Sequence, residues 1–197
     1  MAAAGDVTIM VNGLPGAMGL EIAAACLRRD GVSLAPFALT GPGISGEATV
    51  DDGSGGVPCA VELVPPEAIE TFAARAKEAY PDAGSLVCID FTHPSAVNSN
   101  AEWYAAHGLP FVMGTTGGDR DELQRVTRES GVYAVIAPNM AKQIVALQAA
   151  LEQMARDFPG SFDGYSLAVV ESHQATKADT SGTAKAVSTY LHEDSRP

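Results

Sequence analysis

The sequence of 197 residues lacks several features that would assign it directly to a class of protein. It has no apolar run near the roughly 20 residues that a membrane-spanning helix needs, so we expect no membrane partner. Basic residues are scarce: 12 Lys and Arg stand against 24 Asp and Glu, and the formal charge of −12 disfavours binding to nucleic acid. The first residues lead almost directly into a strand pattern, so no targeting peptide is expected.

Cysteines are few, and familiar catalytic spacings are missing. The three cysteines, Cys26, Cys59 and Cys88, are widely spaced in apolar segments, which favours buried thiols in a reducing compartment over disulfides or a metal cluster. No Ser/His/Asp order or Cys/His nucleophile pair stands out, and we expect no metal site. Hydrophobic residues make up 46% of the chain, which is typical of an ordered globular protein with one full core and a small second unit.

Short β-type runs alternate with helical patterns over residues 1–137. This alternation predicts a Rossmann-like α/β domain, in which helices cover both faces of a doubly wound parallel sheet. The Gly-rich residues 41–56 are expected to form a long loop within it. The predicted strands are 6–11, 33–39, 59–64, 85–91, 110–113 and 132–137, and the predicted helices are 17–29, 66–80, 94–107 and 119–130.

The alternation stops at Pro138, where we expect a second domain, residues 138–197, to begin. An amphipathic helix is predicted over residues 141–158 and a strand over 165–170. A polar segment, 171–183, then leads into a last helix that ends near His192.

A glycine-rich turn follows the first predicted strand. Gly13, Gly16 and Gly19 would let the backbone turn tightly, approach a pyrophosphate and pack the helix closely, which favours dinucleotide binding over an ordinary strand-to-helix turn. The acid that usually follows the second strand and bonds the ribose 2′-hydroxyl is missing, since Thr40 and Gly41 stand there. The choice between NAD and NADP therefore stays open, and the missing acid favours tolerance of a 2′-phosphate.

Three later segments follow predicted strands at the edge where a cofactor would pass: 90–92, 114–117 and 137–140. Their Gly, Thr, Pro and Asn residues are equally typical of ordinary turns. Trp103 and Tyr104 lie in a helical pattern, which favours a packing role over a base-stacking role.

Residues 171–183 carry the strongest chemical signal. His173 and Lys177 are four residues apart and precede a helix start. If Thr180 or Ser181 caps that helix, the amides of Gly182 and Thr183 point into a pocket. This convergence favours general-acid chemistry on a carboxylate substrate over a solvated loop.

These segments, taken in order, resemble the 4-hydroxy-tetrahydrodipicolinate reductase family and cover nearly the whole chain. The most specific is residues 171–183, with its Glu-x-His, a Lys four residues after the His, and Asp-x-Ser-Gly-Thr. Residues 170–174 resemble the plant-type branch. The resemblance implies an incomplete α+β substrate-binding domain after the Rossmann-like domain.

The implied reaction is the reduction of 4-hydroxy-tetrahydrodipicolinate to tetrahydrodipicolinate by NADPH or NADH, in the diaminopimelate route to lysine. Hydride would pass to C4 of the unsaturated cyclic dicarboxylate, and His173 and Lys177 would be the general acids for the neighbouring carbon. The implied substrate-binding residues are Gln174, Ser181, Gly182 and Thr183. The implied cofactor-binding residues are Gly13, Leu14, Pro15, Gly16, Ala17, Met18, Thr40, Phe91, Thr92, Gly114, Thr115, Thr116, Ala137, Pro138, Asn139 and Met140.

Two departures from the family pattern matter. Gln174 replaces a second histidine of the bacterial pattern, and an amide can donate a hydrogen bond but cannot carry a proton. Family chains also continue well beyond the position of Pro197, so we expect a C-terminally truncated member. The resemblance implies a homo-oligomer, which is a tetramer in full-length relatives, and a location in the plastid stroma, or otherwise in the cytoplasm.

Two alternatives stay open. One is a catalytically inactive paralogue or subunit partner that binds only the dinucleotide. The other is a different dehydrogenase, for example one acting on an amino-acid semialdehyde, which the Ser-Gly-Thr at 181–183 disfavours.

Overall fold

The computed structural model describes residues 7–82, 84–172 and 181–192. The chain divides into two compact units, Met1–Ile136 and Ala137–Pro197, here called unit 1 and unit 2. Within the described ranges no helix is both long enough and apolar enough to cross a bilayer.

Unit 1 confirms the predicted Rossmann-like α/β fold. Short 3-10 turns precede its second and third helices. The elements in chain order are β1 (Val7–Asn12), α1 (Ala17–Leu27), β2 (Val32–Leu34), β3 (Phe37–Leu39), β4 (Gly46–Val50), β5 (Cys59–Val64), α2 (Ile69–Ala79), β6 (Leu86–Asp90), α3 (Val97–Ala106), β7 (Phe111–Met113), α4 (Arg120–Ser130) and β8 (Ala134–Ile136). The five strands β2, β1, β6, β7 and β8, in that spatial order, form a wholly parallel sheet.

The second predicted strand, 33–39, is divided into β2 and β3. Pro36 lies at the break and has no backbone N–H to donate to a ladder, which explains the interruption. On one side of it Leu34 pairs with Ile9 of β1, and on the other Phe37 pairs with Glu62 of β5. The divided strand therefore joins the five-stranded sheet to a second sheet of three strands, in the order β3-β5-β4.

The prediction that residues 41–56 form one long loop is wrong. Residues 46–50 form β4, which runs antiparallel to β5, with Ala48 opposite Val61. Ala48 and Val50 are buried while Glu47 and Thr49 are exposed, so the segment alternates like a strand with one covered face. The surrounding glycines concealed this short alternation in the sequence.

Two apolar clusters lie on opposite faces of the sheet. Met10 belongs to one cluster, with Phe72, Trp103 and other residues of α2 and α3. Its neighbour Val11 belongs to the other, which includes residues of α1 and of the three-stranded sheet. Adjacent strand residues point to opposite faces, so helices cover both sides of the sheet, as a doubly wound fold requires. All three cysteines are free thiols, and Cys26 and Cys88 are buried.

Unit 2 contains two described helices, α5 (Lys142–Asp157) and α6 (Gly182–His192), which agree with the predicted helices. The predicted strand 165–170 is wrong. These residues have no regular structure, and Tyr165 and Val170 are 81% and 94% exposed. A strand requires a partner for its backbone groups, and the described part of unit 2 contains no other strand. The α+β character of this unit stays a prediction.

Candidate dinucleotide-binding site

Three neighbouring strands of unit 1 end side by side at the carboxyl edge of the sheet. Asn12 at the end of β1 pairs with Asp90 of β6, and Asp90 pairs with Met113 of β7. The chain leaves each strand directly into a predicted cofactor-binding segment. The first amide of each segment donates to the carbonyl oxygen at the end of another strand: Gly13 to Leu39, Phe91 to Asn12 and Gly114 to Asp90, at N···O distances of 2.9, 3.1 and 3.0 Å. This edge therefore brings together the predicted residues 13–18, 40, 91–92 and 114–116.

The turn after β1 leaves no room for a side chain at its first residue. Gly13 has φ of +104°, and a Cβ there would lie 2.2 Å from the carbonyl oxygen of Phe91. The turn closes through the Gly16 amide, which donates to the Gly13 carbonyl at 2.9 Å. Gly16 is the N-cap of α1 and offers no side-chain cap, so first-turn amides of α1 remain available for an anion. Pro15, Gly16, Ala17 and Met18 are exposed at this position.

Thr40, which follows β3, is buried and supports the glycine turn. Its hydroxyl donates to the carbonyl oxygen of Leu14 at 2.6 Å. Because a hydroxyl has one hydrogen and two acceptor lone pairs, Thr40 can still accept a hydrogen bond from a ligand but has no second hydrogen to donate.

The turns after β6 and β7 contact each other closely. A Cβ on Gly114 would lie 2.1 Å from Cζ of Phe91, so the aromatic ring covers the glycine backbone. The Thr92 amide donates to the hydroxyl of Thr115 at 2.9 Å. Thr116, next along the chain, is exposed at the edge.

A buried carboxylate, Asp90, lies beneath these turns. Its Oδ1 accepts from the amide and the hydroxyl of Thr92, at 3.1 and 2.8 Å, and from the hydroxyl of Thr115 at 2.8 Å. Its Oδ2 accepts from the side-chain amide of Asn100 at 2.9 Å and from the hydroxyl of Tyr104 at 2.7 Å. No ion pair among the described residues includes Asp90, so hydrogen-bond donors satisfy this carboxylate.

Tyr104 connects this carboxylate to β1. The side-chain amide of Asn12 donates to the Tyr104 hydroxyl at 2.7 Å, and Asn12 Oδ1 accepts from the backbone amide of Leu39 at 2.8 Å. Burial raises the pKa of Tyr104 well above its ordinary value, and electrostatic interactions with Asp90 and Cys88 raise it further. The phenol therefore keeps its proton and acts as a donor to Asp90.

Within unit 2, residues 137–140 lie against the start of α6. Asn139 donates to the Thr183 hydroxyl at 2.9 Å, and a Cβ on Gly182 would lie 2.8 Å from Cβ of Pro138. The Ser181 hydroxyl accepts from the Ala184 amide at 3.2 Å, which is N-cap geometry. The structure thus joins a predicted cofactor-binding segment to the predicted carboxylate-binding residues.

A sequence model described as the N-terminus of dihydrodipicolinate reductase matches residues 7–140. The chain belongs to the dihydrodipicolinate reductase family. This confirms the resemblance found in the sequence.

Two plant proteins are identical to this chain at almost half of the aligned positions. The Arabidopsis thaliana protein named 4-hydroxy-tetrahydrodipicolinate reductase 1, chloroplastic, is 47% identical over 189 residues, which are 95% of this chain and 51% of the relative. An Oryza sativa subsp. japonica protein, named probable 4-hydroxy-tetrahydrodipicolinate reductase 2, chloroplastic, is 46% identical over 91% of this chain and 52% of the relative. The chain thus spans about half the length of the curated relatives it matches.

A solved structure shares the fold. Dipicolinate-bound dihydrodipicolinate reductase from Paenisporosarcina sp. TG-14 aligns with a TM-score of 0.64, over 95% of this chain and 66% of that one. The sequence identity is 20%, so this comparison shows a shared fold and nothing more.

Three predicted site residues lie outside the residues that the structure describes: His173, Gln174 and Lys177. Their roles stay predictions. Of the polar side chains beneath the turns, Asp90 and Thr92 belong to a segment that the sequence predicted to lie where a cofactor would pass. Asn12, Asn100 and the hydroxyl of Tyr104 were not predicted to act there. One signal for Asn12 was present, because it ends a largely apolar strand directly before the glycine turn. Tyr104 and Asn100 carried no such signal, because a helical pattern does not show which polar atoms a helix turns inward.

Proposed function

We propose that unit 1 binds NADPH or NADH and that the chain reduces 4-hydroxy-tetrahydrodipicolinate to tetrahydrodipicolinate, in the diaminopimelate route to lysine. The observation that carries the proposal is the cradle at the carboxyl edge, which consists of the turns after β1, β6 and β7 and the exposed start of α1, where no side chain caps the first-turn amides. Such a cradle fits a dinucleotide, whose pyrophosphate requires close approach to bare backbone at the start of a helix. Membership of the family supports the choice of reaction.

The 4-hydroxyl group of the substrate would leave as water, and the bound nicotinamide would supply hydride to C4 of the resulting unsaturated cyclic dicarboxylate. The neighbouring carbon then requires a proton, and His173 and Lys177 carry groups that donate protons. Lys177 also supplies positive charge for a dianionic substrate in a chain of net charge −12.

The start of α6 suits a substrate carboxylate. The amides of Gly182 and Thr183 belong to the first turn of the helix, which favours anions. Ser181 caps this turn and Asn139 orients the Thr183 hydroxyl. Gln174 would add a hydrogen bond without adding charge. The pocket we propose therefore holds the carboxylate mainly by backbone dipoles and Lys177.

Both nicotinamide cofactors should bind. Residues 40–43, which follow β3, are Thr, Gly, Pro and Gly, so no carboxylate there repels a 2′-phosphate and no guanidinium attracts one. We therefore infer only a small difference in affinity between NADPH and NADH, which a titration with each cofactor measures directly.

Location and assembly are further parts of the proposal. The names of the plant relatives include the word chloroplastic, which supports a plastid location for this chain. We infer a homo-oligomer, as the family resemblance implies. Sedimentation of the purified chain tests the oligomer.

The reductase assay uses the condensation product of pyruvate and aspartate semialdehyde as substrate. We expect NADPH or NADH to be oxidised only when that product is added. Because the chain spans about half of its relatives, the alternative to distinguish is a binding module without turnover. Saturable cofactor binding without substrate-dependent oxidation would identify that alternative, and oxidation driven by an amino-acid semialdehyde would identify a different dehydrogenase.

A further inference from the structure

We propose that Asn12, Tyr104 and Asp90 form a positioning relay, a buried series of hydrogen bonds that holds the cofactor-binding turns of unit 1 in register. The proposal rests on the proposed dinucleotide binding and adds residues that act through others. All three are fully buried, so a bound cofactor cannot reach their side chains.

A backbone amide sets the direction of the relay. The Leu39 N–H can only donate, so Asn12 must present Oδ1 to it. The Asn12 amide nitrogen then faces the Tyr104 hydroxyl and donates to it. The phenol has one hydrogen, and it is directed to Asp90 Oδ2. Each hydrogen bond therefore fixes the orientation of the next.

The relay reaches every cofactor-binding turn of unit 1. Asn12 and Asp90 directly precede the turns that begin at Gly13 and Phe91. At one end of the relay, Leu39 directly precedes Thr40. At the other end, Asp90 Oδ1 binds the hydroxyls of Thr92 and Thr115. A shift of one turn must therefore change hydrogen bonds that hold the other three.

Three buried polar side chains are not needed merely to fill the space beneath the turns. Apolar side chains of similar volume commonly stabilise a buried position as well as a polar network does, or better. A carboxylate buried without a cation also depends on every donor around it, since each lost donor leaves its desolvation less compensated. Such a network restricts geometry more strongly than apolar contacts do, and the turns it restricts are those that must fit the cofactor.

Tyr104→Phe tests the relay, because it removes one oxygen and leaves the ring in place. We expect the Kd for NADPH to rise about tenfold, which corresponds to the loss of a buried hydrogen bond to a carboxylate. The matched control is Val61→Ala, which removes buried apolar volume from β5 and makes none of the relay's hydrogen bonds. The control should lose stability and keep its Kd within about twofold of wild type.

Amide hydrogen exchange gives a second readout that does not involve cofactor. In Tyr104→Phe the amides of Leu39 and Thr92 should exchange faster than in Val61→Ala, after each rate is corrected for global stability. If Tyr104→Phe does not fold, Asn100→Ala replaces it, because Asn100 is only half-buried and donates to the same carboxylate. A rise in Kd of about threefold is then expected.

The outcomes separate the relay from the proposed function. A wild-type chain that binds neither NADPH nor NADH would refute dinucleotide binding, and the relay's role with it. A wild-type chain that binds, together with a Tyr104→Phe variant that binds equally well, would overturn the relay and leave the proposed function intact. Equal changes of Kd in Tyr104→Phe and Val61→Ala would also overturn it.

Discussion

The substitution Gly13→Ala probes the closest approach to backbone atoms in the proposed cofactor cradle. A Cβ at this position would lie 2.2 Å from the carbonyl oxygen and 2.7 Å from the carbonyl carbon of Phe91, which are backbone atoms and cannot rotate away. The residue also has φ of +104°, a region that L-residues other than glycine rarely adopt. The variant must therefore separate the turns after β1 and β6.

Two costs combine in this variant. A positive φ costs roughly 1–2 kcal/mol for a residue with a Cβ, and a clash in a well-packed region typically costs about 1–3 kcal/mol. The expected loss in the free energy of unfolding is thus about 2–5 kcal/mol. Gly31→Ala is the matched control, because Gly31 has φ of +75° and nothing within 4 Å of its Cβ position. It should lose about 1–2 kcal/mol.

Urea unfolding of the three proteins, followed by far-UV circular dichroism, measures both losses. The difference between Gly13→Ala and Gly31→Ala isolates the clash with Phe91. If Gly13→Ala is no less stable than Gly31→Ala, the turns after β1 and β6 are not in contact, and the cradle described for this edge is wrong.

Two further substitutions address other parts of the chain. Lys177→Ala should lose most turnover in the reductase assay while the Kd for NADPH stays unchanged, and an unchanged rate would remove Lys177 from the mechanism. Asp119→Ala should cost about 1 kcal/mol of stability, because Asp119 caps α4 by accepting from the amides of Asp121 and Glu122. Asp119→Asn keeps a capping oxygen and should cost less; equal losses would show that the cap contributes little.

Apart from β4 and the division of β2 from β3, periodicity predicted the order of strands and helices in unit 1, because that signal is local. The division of β2 from β3 occurs at Pro36. It depends on tertiary structure, because β2 pairs with Ile9 of β1 while β3 pairs with Glu62 of β5. The predicted strand at 165–170 is wrong because it has no neighbouring strand in the described part of unit 2. Its apolar pattern is strand-like, but a strand forms only beside a partner, and local sequence does not supply one.

The glycine turns proposed to bind the cofactor were also predictable as turns, since glycines after apolar strands are local signals. The relay beneath them was not. Tyr104 and Asn12 lie 92 residues apart in the sequence, and their contact arises only when α3 packs over the sheet. A tyrosine in a helical pattern indicates packing, and nothing nearby in the chain indicates that its hydroxyl bonds a carboxylate.

A dinucleotide pyrophosphate bound at the start of α1 should be repelled by a negative charge placed there, and Ala17→Asp introduces that charge. Aspartate in the first turn of a helix favours the helix, so the fold should be retained. Its charge would oppose a nearby pyrophosphate by about 1–4 kcal/mol, the range for unit charges near a protein surface. Ala74→Asp, at an exposed position of α2, adds the same charge elsewhere.

The deciding measurement is the Kd for NADPH of the wild-type chain and of these two variants, by calorimetric titration. We expect saturable binding to wild type and to Ala74→Asp, and a Kd at least about tenfold higher for Ala17→Asp. Equal affinity of Ala17→Asp and Ala74→Asp, or no binding to wild type, would show that no dinucleotide pyrophosphate binds at the start of α1.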